Sequence, residues 1–300
     1  MLILIRYCKF LIFFNVILSN ISFNTEIGEC HLNYESSDNN IIKHIQKTAN
    51  ELIKEFGLVK KQDFSINIIN SSTKRPKILK KLSWAVGVAQ KNKVIIDAEK
   101  INNYKELLQT ITHEICHIYQ YRINNYPTFP SWFKEGMAMH FSKENSLNRK
   151  NLVSQSIWLN CLIELKELKN ISILDKSKVS LGYAESLIAY ETIINQFGIK
   201  SVKSIINRMN NLNDSFSQAF EKINNLSLTD FEVLFDNKIK KSNYKWGILK
   251  NPMNWFFLSS ILVIIVFIFV KFRNKKVIER MILEEELEQL NEKFINDNNN

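Results

Sequence analysis

Two histidines four residues apart, His113 and His117, lie in the segment ITHEICHIYQ of this 300-residue chain. On a helix this spacing places both imidazoles on the same face, one turn apart, where they can share one metal ion. Glu114 directly follows the first histidine, and in the pattern H-E-x-x-H that glutamate takes a proton from a water on the metal. The pattern indicates Zn²⁺, and the alternative is an ordinary amphipathic helix with two histidines placed by chance.

A catalytic zinc site needs a third protein ligand and an open position for water. Glu135 is the candidate, because the proline-containing segment NYPTFP before it would turn the chain back across the first helix. It would then lie in the first turn of a helix capped by Ser131, and Gly136 beside it would remove side-chain bulk near the metal. On its own, Glu135 fits equally well as an exposed glutamate that the helix dipole favours near an N-terminus.

The segments HEICH and FPSWFKEGMAMHF together resemble the gluzincin metallopeptidases, and more specifically the bacterial peptidase MA-like family. In that family a proline, a tryptophan and E-G-x-A follow the H-E-x-x-H helix at about this distance. The later segments GYAESLIAYETIINQFG and SFSQAFEKINNLSLTDFE are also similar, so that the resemblance covers roughly residues 60–240. It implies a zincin-like metallopeptidase that binds Zn²⁺ through His113, His117 and Glu135, with Glu114 as the general base.

The resemblance also implies a tyrosine from a later helix that stabilises the oxyanion formed during the reaction. Tyr183 is the best match and Tyr190 the second. One position departs from the family's pattern, because a carboxylate often stands four residues after the glutamate ligand and Met139 stands there in this chain. A hydrogen-bonded partner normally fixes a metal-bound histidine, so the group that orients His113 or His117 is left open.

These residues predict hydrolysis of a peptide or protein substrate, in which zinc activates a water and Glu114 carries its proton to the leaving amine. The strand predicted around Trp84–Ala89 is the candidate edge for pairing with an extended peptide. Two other interpretations stay open. One is a catalytically inactive zincin-like module for peptide binding or signalling, and the other is a zinc hydrolase for a non-peptide amide of a cell wall or lipid.

Two apolar segments predict that the chain is held at the cell membrane. Residues 1–29 carry two basic residues before a short apolar run, as in a secretory signal that is either cleaved near Ser22 or kept as an anchor. Residues 251–270 are uncharged and long enough to cross the hydrocarbon core. The basic sequence KFRNKK follows, and the positive-inside rule places it in the cytosol. Residues 30–250 would then lie outside the cytoplasm in a single-pass protein.

The remaining partner predictions rest on charge and composition. Residues 271–300 fit a short amphipathic helix, which is either solvated or the site of a cytosolic partner. The formal net charge of +10 favours contact with anionic membrane lipid, or it reflects a lysine-rich solvated surface. No aromatic-plus-basic motif indicates a nucleic acid. Cys30 and Cys161 are a candidate disulfide pair.

Hydrophobic periodicity predicts an α+β fold. A helical pattern runs to Gly57, a strand follows at 63–69, and the segment 82–98 reads as two strands joined by a turn. From Tyr104 onward almost every pattern is helical. The prediction is a small mixed β-sheet followed by a mainly helical zincin-like domain, with a single transmembrane helix near the C-terminus.

Overall fold

The computed structural model describes residues 19–34, 38–70, 76, 85–144, 146–241 and 252–298 of the chain. The chain divides into two compact units that separate between residues 245 and 246. The first unit carries the sheet, the shorter helices and all the predicted site residues, and the second carries one long helix.

Five strands of the described chain form one mixed sheet in the order β1-β2-β3-β5-β4. The strands are β1 (Ser19–Thr25), β2 (Gly28–Tyr34), β3 (Phe64–Ile69), β4 (Gly87–Gln90) and β5 (Lys93–Asp97). The pairs β2–β3 and β3–β5 are parallel, whereas β1 and β4 are antiparallel to their neighbours and form the two edges. The sheet is therefore mixed, as predicted.

The described part of the first unit also contains eight α-helices and three short 3₁₀ helices. The α-helices are α1 (Asn39–Phe56), α2 (Tyr104–Gln120), α3 (Ser131–Ser142), α4 (Ser146–Trp158), α5 (Lys176–Phe197), α6 (Ile199–Leu212), α7 (Phe216–Asn224) and α8 (Leu228–Lys241). The 3₁₀ helices are Ala98–Lys100, Tyr126–Thr128 and Glu167–Ile173. A small sheet followed by helices confirms the α+β prediction.

Local sequence explains the elements that begin the domain. β3 buries every second residue, as a strand with one face in the core does. α1 is amphipathic and ends at Gly57, whose φ of 107° lies in the region that side chains disfavour. The Gly57 N–H then bonds to the carbonyl of Ile53 at 2.9 Å, which satisfies one of the last carbonyls of the helix.

The core is densest around α3, which packs between α2 and α5. Trp132, Phe133 and Met137 of this short helix are fully buried, so it has no broad polar face. The Trp132 indole N–H donates a hydrogen bond to Glu232 on α8 at 3.2 Å. Contacts on several sides therefore hold α3, and with it Glu135, in a fixed position.

The sheet extends upstream of residue 30, the predicted start of the domain. Ser19–Thr25 pair with β2 along the whole strand, and Ile27 in the connecting turn is fully buried. The folded domain therefore includes residues that the sequence pattern assigns to the signal segment. The apolar run at 10–18, on which that segment was based, lies outside the described residues.

The prediction of a disulfide between Cys30 and Cys161 is wrong. Both cysteines are free thiols, since Cys30 faces the core of the sheet from β2 and Cys161 is exposed after α4. Burial raises the pKa of the Cys30 thiol to about 12, so this cysteine is held in its unreactive protonated form.

The second unit is a single helix, α9, that runs from Pro252 to Asn298 without a break. Within the described residues it is the one helix long and apolar enough to cross a membrane, starting at Trp255. Its apolar side chains are exposed, as Phe256 shows with 70% of its surface accessible. Residues 252–270 of the predicted spanning segment and residues 271–298 of the predicted tail are thus parts of one helix.

Candidate active site

Helix α2 carries three of the predicted site residues and turns them toward a cleft. The helix starts at Asn103, whose side chain accepts a hydrogen bond from the N–H of Glu106 at 2.9 Å. His113, Glu114 and His117 follow about three to four turns later and line a cleft. His113 and Glu114 keep only 9% and 5% of their surface accessible, so solvent screens their charges weakly.

Glu135 reaches the two histidines because the chain reverses between α2 and α3, as the segment NYPTFP predicts. Asn125 takes the left-handed conformation with φ of 56°. Its side-chain amide donates to the carbonyl of Asn213 at 2.7 Å, which ties the reversal to the residue that follows α6. Pro130 then caps α3, and Glu135 lies in the early part of that helix, facing α2.

Gly136 does not have the role that its position beside Glu135 suggests. A side chain built on Gly136 would overlap the carbonyl of Ser186 and the Cβ of Tyr190, both on α5. The glycine therefore permits the close approach of α3 and α5, on the side of α3 away from the two histidines. Its effect on the metal site is indirect, through the position of the helix.

Three potential ligand atoms converge between α2 and α3. Nε2 of His113 lies 3.1 Å from Nε2 of His117, and Oε2 of Glu135 lies 3.4 Å from each of these nitrogens. Among the described residues, this is the one cluster of three histidine, cysteine or carboxylate side chains that could hold a metal ion.

A polar contact on the outer side of each imidazole determines which nitrogen faces the cluster. Nδ1 of His113 lies 2.8 Å from Oε1 of Glu144, a carboxylate that can only accept. Nδ1 of His117 lies 2.9 Å from Oε1 of Gln120, whose amide nitrogen donates to the carbonyl of Lys134 at 2.9 Å. Each Nδ1 atom therefore faces an acceptor outside the cluster, and each Nε2 atom faces the cluster.

These distances fit a tetrahedral zinc site. Zinc bonds of about 2.0–2.1 Å to nitrogen or oxygen, at tetrahedral angles, separate the ligand atoms by about 3.3–3.4 Å. Oε2 of Glu135 is buried and has no hydrogen-bond partner of good geometry among the described residues. Two imidazole lone pairs and a carboxylate oxygen at such short distances require positive charge between them. The donor set, two histidines and one carboxylate, is one that zinc uses in hydrolases.

Residues 44–241 match the sequence profile of the peptidase MA superfamily. The chain belongs to the peptidase MA superfamily. The match confirms the resemblance drawn from the H-E-x-x-H and E-G-x-A segments and extends it upstream into α1. No curated protein is significantly similar in sequence to the chain.

The charges of this peptidase MA domain favour a cation at the cluster. Burial lowers the pKa of His113, but the nearby Glu144 and Glu135 outweigh burial and raise it well above its usual value. Burial acts in the opposite direction on Glu135 and would raise its pKa. The two facing histidines nevertheless hold the pKa of Glu135 well below the ordinary range. Protons on the imidazoles balance the carboxylates in the protein alone, and a divalent cation would replace those protons.

Glu114 of the peptidase MA domain lies next to the cluster, against the edge strand β4. A Cβ built on Gly87 would lie 2.5 Å from Oε1 of Glu114, so the absence of a side chain makes room for the carboxylate. Oε2 of Glu114 is buried without a hydrogen-bond partner among the described residues. Burial raises the pKa of Glu114, the direction that eases uptake of a proton.

The cluster opens into a cleft of about 1160 Å³ in the peptidase MA domain. One wall is formed by β4 and the residues just before it, and the facing wall by the start of α5 and the preceding 3₁₀ helix. Tyr183 lines this cleft. Tyr190, the second candidate for the oxyanion tyrosine, is fully buried in the core against Phe133 and His140.

Sequence reasoning did not find Glu144 and Gln120, the two residues that hold the histidines. Gln120 follows His117 by one helical turn, and this spacing is a signal that could have indicated it. Glu144 follows the end of α3 and no local pattern connects it to His113. Met139 stands where the family's pattern often has a carboxylate. Its side chain is buried in the core, with 1% of its surface accessible.

Proposed function

We propose that this protein is a membrane-anchored zinc metallopeptidase that hydrolyses peptide bonds of peptide or protein substrates. The observation that carries the proposal is the convergence of His113 Nε2, His117 Nε2 and Glu135 Oε2 within 3.1–3.4 Å, beside the carboxylate of Glu114. Membership of the peptidase MA superfamily supports the same reaction class.

His113, His117 and Glu135 would hold the zinc ion, which when bound supplies a Lewis acid that lowers the pKa of a water and polarises the scissile carbonyl. Glu114 accepts the proton of the attacking water through its buried carboxylate. It then delivers that proton to the nitrogen of the leaving amine. The Tyr183 hydroxyl, on the facing wall of the cleft, donates a hydrogen bond to the oxyanion.

Strand β4 offers backbone groups for an extended substrate. The N–H of Asp97 on β5 donates to the carbonyl of Val86 at 2.8 Å, which makes these two residues a hydrogen-bonded pair of the antiparallel ladder. In such a ladder the backbone groups of the intervening residues point the other way. The backbone groups of Gly87 and the N–H of Ala89 therefore point toward the cleft, where a peptide pairs with them. The Ala89 carbonyl already accepts a hydrogen bond from the Tyr121 hydroxyl at 3.4 Å.

The anchoring part of the proposal rests on α9. This helix has the length and composition of a membrane span, and the basic sequence KFRNKK follows its apolar part. The positive-inside rule then places the C-terminal part of α9 in the cytosol and the peptidase domain outside it. The same basic residues suit contact with anionic lipid headgroups, and the last part of α9 is available to a cytosolic partner.

The test uses the full chain purified in detergent, with zinc content and cleavage of an unfolded protein substrate as readouts. The expected result is about one zinc per chain, lost in His117→Ala and kept in His31→Ala, a matched histidine of β2 outside the cluster. Glu114→Gln should keep zinc and lose at least about 99% of the cleavage, as removal of a general base does. Zinc without cleavage in the unchanged chain would identify a non-catalytic module, and a folded chain without zinc would refute the proposal.

A further inference from the structure

A carboxylate from outside the H-E-x-x-H helix and outside α3 lies against the first histidine. Lys143 ends α3 in the left-handed conformation with φ of 55°, which reverses the chain and places Glu144 beside α2. The amide of Gln109, one turn before His113, donates to the Lys143 carbonyl at 2.7 Å and fixes this reversal. Oε1 of Glu144 then lies 2.8 Å from Nδ1 of His113.

A cation holds the second oxygen of Glu144. Nη2 of Arg149, on α4, lies 2.9 Å from Oε2 of Glu144. The guanidinium carbon of Arg149 also lies 5.9 Å from the centroid of the Tyr183 ring, within the range of a cation–π contact. Arg149 thus connects the carboxylate behind His113 with the tyrosine that lines the cleft.

Oε1 of Glu144 contacts His113 and Oε2 contacts Arg149, so both carboxylate oxygens face a nitrogen. A carboxylate can only accept, so a proton at the contact with His113 belongs to Nδ1 of the imidazole. The position four residues after Glu135, where the resemblance leads us to expect a carboxylate, holds the buried Met139 instead.

We propose that Glu144, held in place by Arg149, is the positioning residue for His113 and does the work of the carboxylate that is missing from α3. Glu144 fixes the ring plane and the tautomer of His113, so that Nε2 faces the metal in advance of binding. The inference rests on the proposed zinc site. It assigns the orientation of His113 to Glu144, which follows α3, rather than to a residue within α3.

The test compares zinc affinities of full-chain variants in detergent by competition with a chromogenic chelator. Glu144→Ala should bind zinc about 10–100-fold more weakly, the usual cost of losing such a partner. Glu144→Gln changes the shape of the side chain very little, so it controls for misfolding. Its amide oxygen can still accept from Nδ1 of His113, and the loss of zinc affinity should therefore be smaller, about 3–10-fold. The control is Glu191→Gln, which removes the carboxylate paired with Lys150, next to Arg149 on α4, and should stay within about twofold of the unchanged chain.

Cobalt substitution adds a readout that a purely structural role would not affect. The visible absorption of Co²⁺ at the site reports ligand geometry, and we expect its band positions to change in Glu144→Ala but not in Glu191→Gln. If both Glu144 variants bind zinc like the unchanged chain and give its cobalt spectrum, the positioning role is wrong while the metallopeptidase proposal stands. If the unchanged, folded chain binds no zinc, both proposals are wrong.

Discussion

The Cα of Gly87 approaches Glu114 so closely that a single methyl group at residue 87 would lie 2.5 Å from Oε1, 2.9 Å from Cδ and 3.0 Å from Cγ of the glutamate. The strand that is proposed to bind the substrate therefore also forms one wall around the general base. Glu114 is 5% exposed, so its side chain has little space to rotate away from such a methyl group.

Gly87→Ala should consequently impair catalysis more than metal binding. The added methyl group pushes Glu114 away from the position where it accepts the proton of the water, and a misplacement of about 1 Å can cost about 100-fold in rate. We expect kcat to fall by about that factor, while zinc content stays at the level of the unchanged chain because the three ligands are on α2 and α3. The measurements are steady-state kinetics and zinc analysis of the same preparation.

A glycine outside the site provides the control for Gly87→Ala. Gly198, after α5, has φ of 79° and no atoms near its would-be Cβ, so Gly198→Ala strains the backbone without touching the cleft. It should lower the free energy of unfolding by about 1–2 kcal/mol and leave kcat unchanged. Equal losses of kcat in the two variants would mean that the Gly87 effect is general destabilisation.

Ala89→Pro should test whether a substrate pairs with β4. The register directs the Ala89 N–H away from β5, and proline is tolerated at such edge positions because no sheet hydrogen bond is lost. Removal of one substrate hydrogen bond should lower kcat/KM about 3–10-fold with zinc content and thermal stability preserved. Val86→Pro is a less direct test, because the bond between Val86 and Asp97 shows that the backbone groups of residue 86 face β5 rather than the cleft. Unchanged kcat/KM in a folded Ala89→Pro would rule out pairing at this position.

The sequence could bring the three residues of the candidate metal cluster together because few structural steps separate them. His113 and His117 lie on one continuous helix, where spacing alone fixes their geometry. Glu135 needs one further element, the reversal that the prolines indicate. The order of strands and helices was likewise predictable, because alternation and helical periodicity are local properties of the chain.

Glu144 could not be predicted, because its approach to His113 depends on contacts between distant parts of the chain. Lys143 takes a left-handed conformation that its residue type does not favour, and the bonds that stabilise it include one from Gln109, 34 residues earlier in the chain. The extension of the sheet into residues 19–25 was not predicted for a related reason. The residues of β1 follow an apolar run, and only their pairing with β2 shows that they belong to the sheet.

Tyr183→Phe and Tyr190→Phe should separate the two candidate tyrosines. Loss of an oxyanion donor costs about 100-fold in kcat, and we expect this of Tyr183→Phe with zinc affinity retained, because the hydroxyl is not a proposed ligand. Tyr190 is buried and its hydroxyl has no hydrogen-bond partner among the described residues, so Tyr190→Phe should keep full activity and equal or higher stability. Kinetics and thermal unfolding of both variants decide, and an active Tyr183→Phe would refute the assignment.

Glu185 should make the protein less stable as the pH rises. Burial on α5 raises its pKa from 4.5 to about 8, although Oε1 accepts a hydrogen bond from the Ile163 N–H at 3.0 Å. The folded protein then holds a proton that the unfolded chain releases above pH about 4.5, so the free energy of unfolding decreases between about pH 5 and pH 8. Glu185→Gln removes this titration, and we expect it to be more stable than the unchanged chain at pH 8 by a few kcal/mol, with a smaller difference at pH 5. Denaturant unfolding at both pH values measures the free energy of unfolding. Glu191→Gln is the carboxylate control on the same helix. Parallel pH profiles for Glu185→Gln and the unchanged chain would show that Glu185 is ionised in the folded protein.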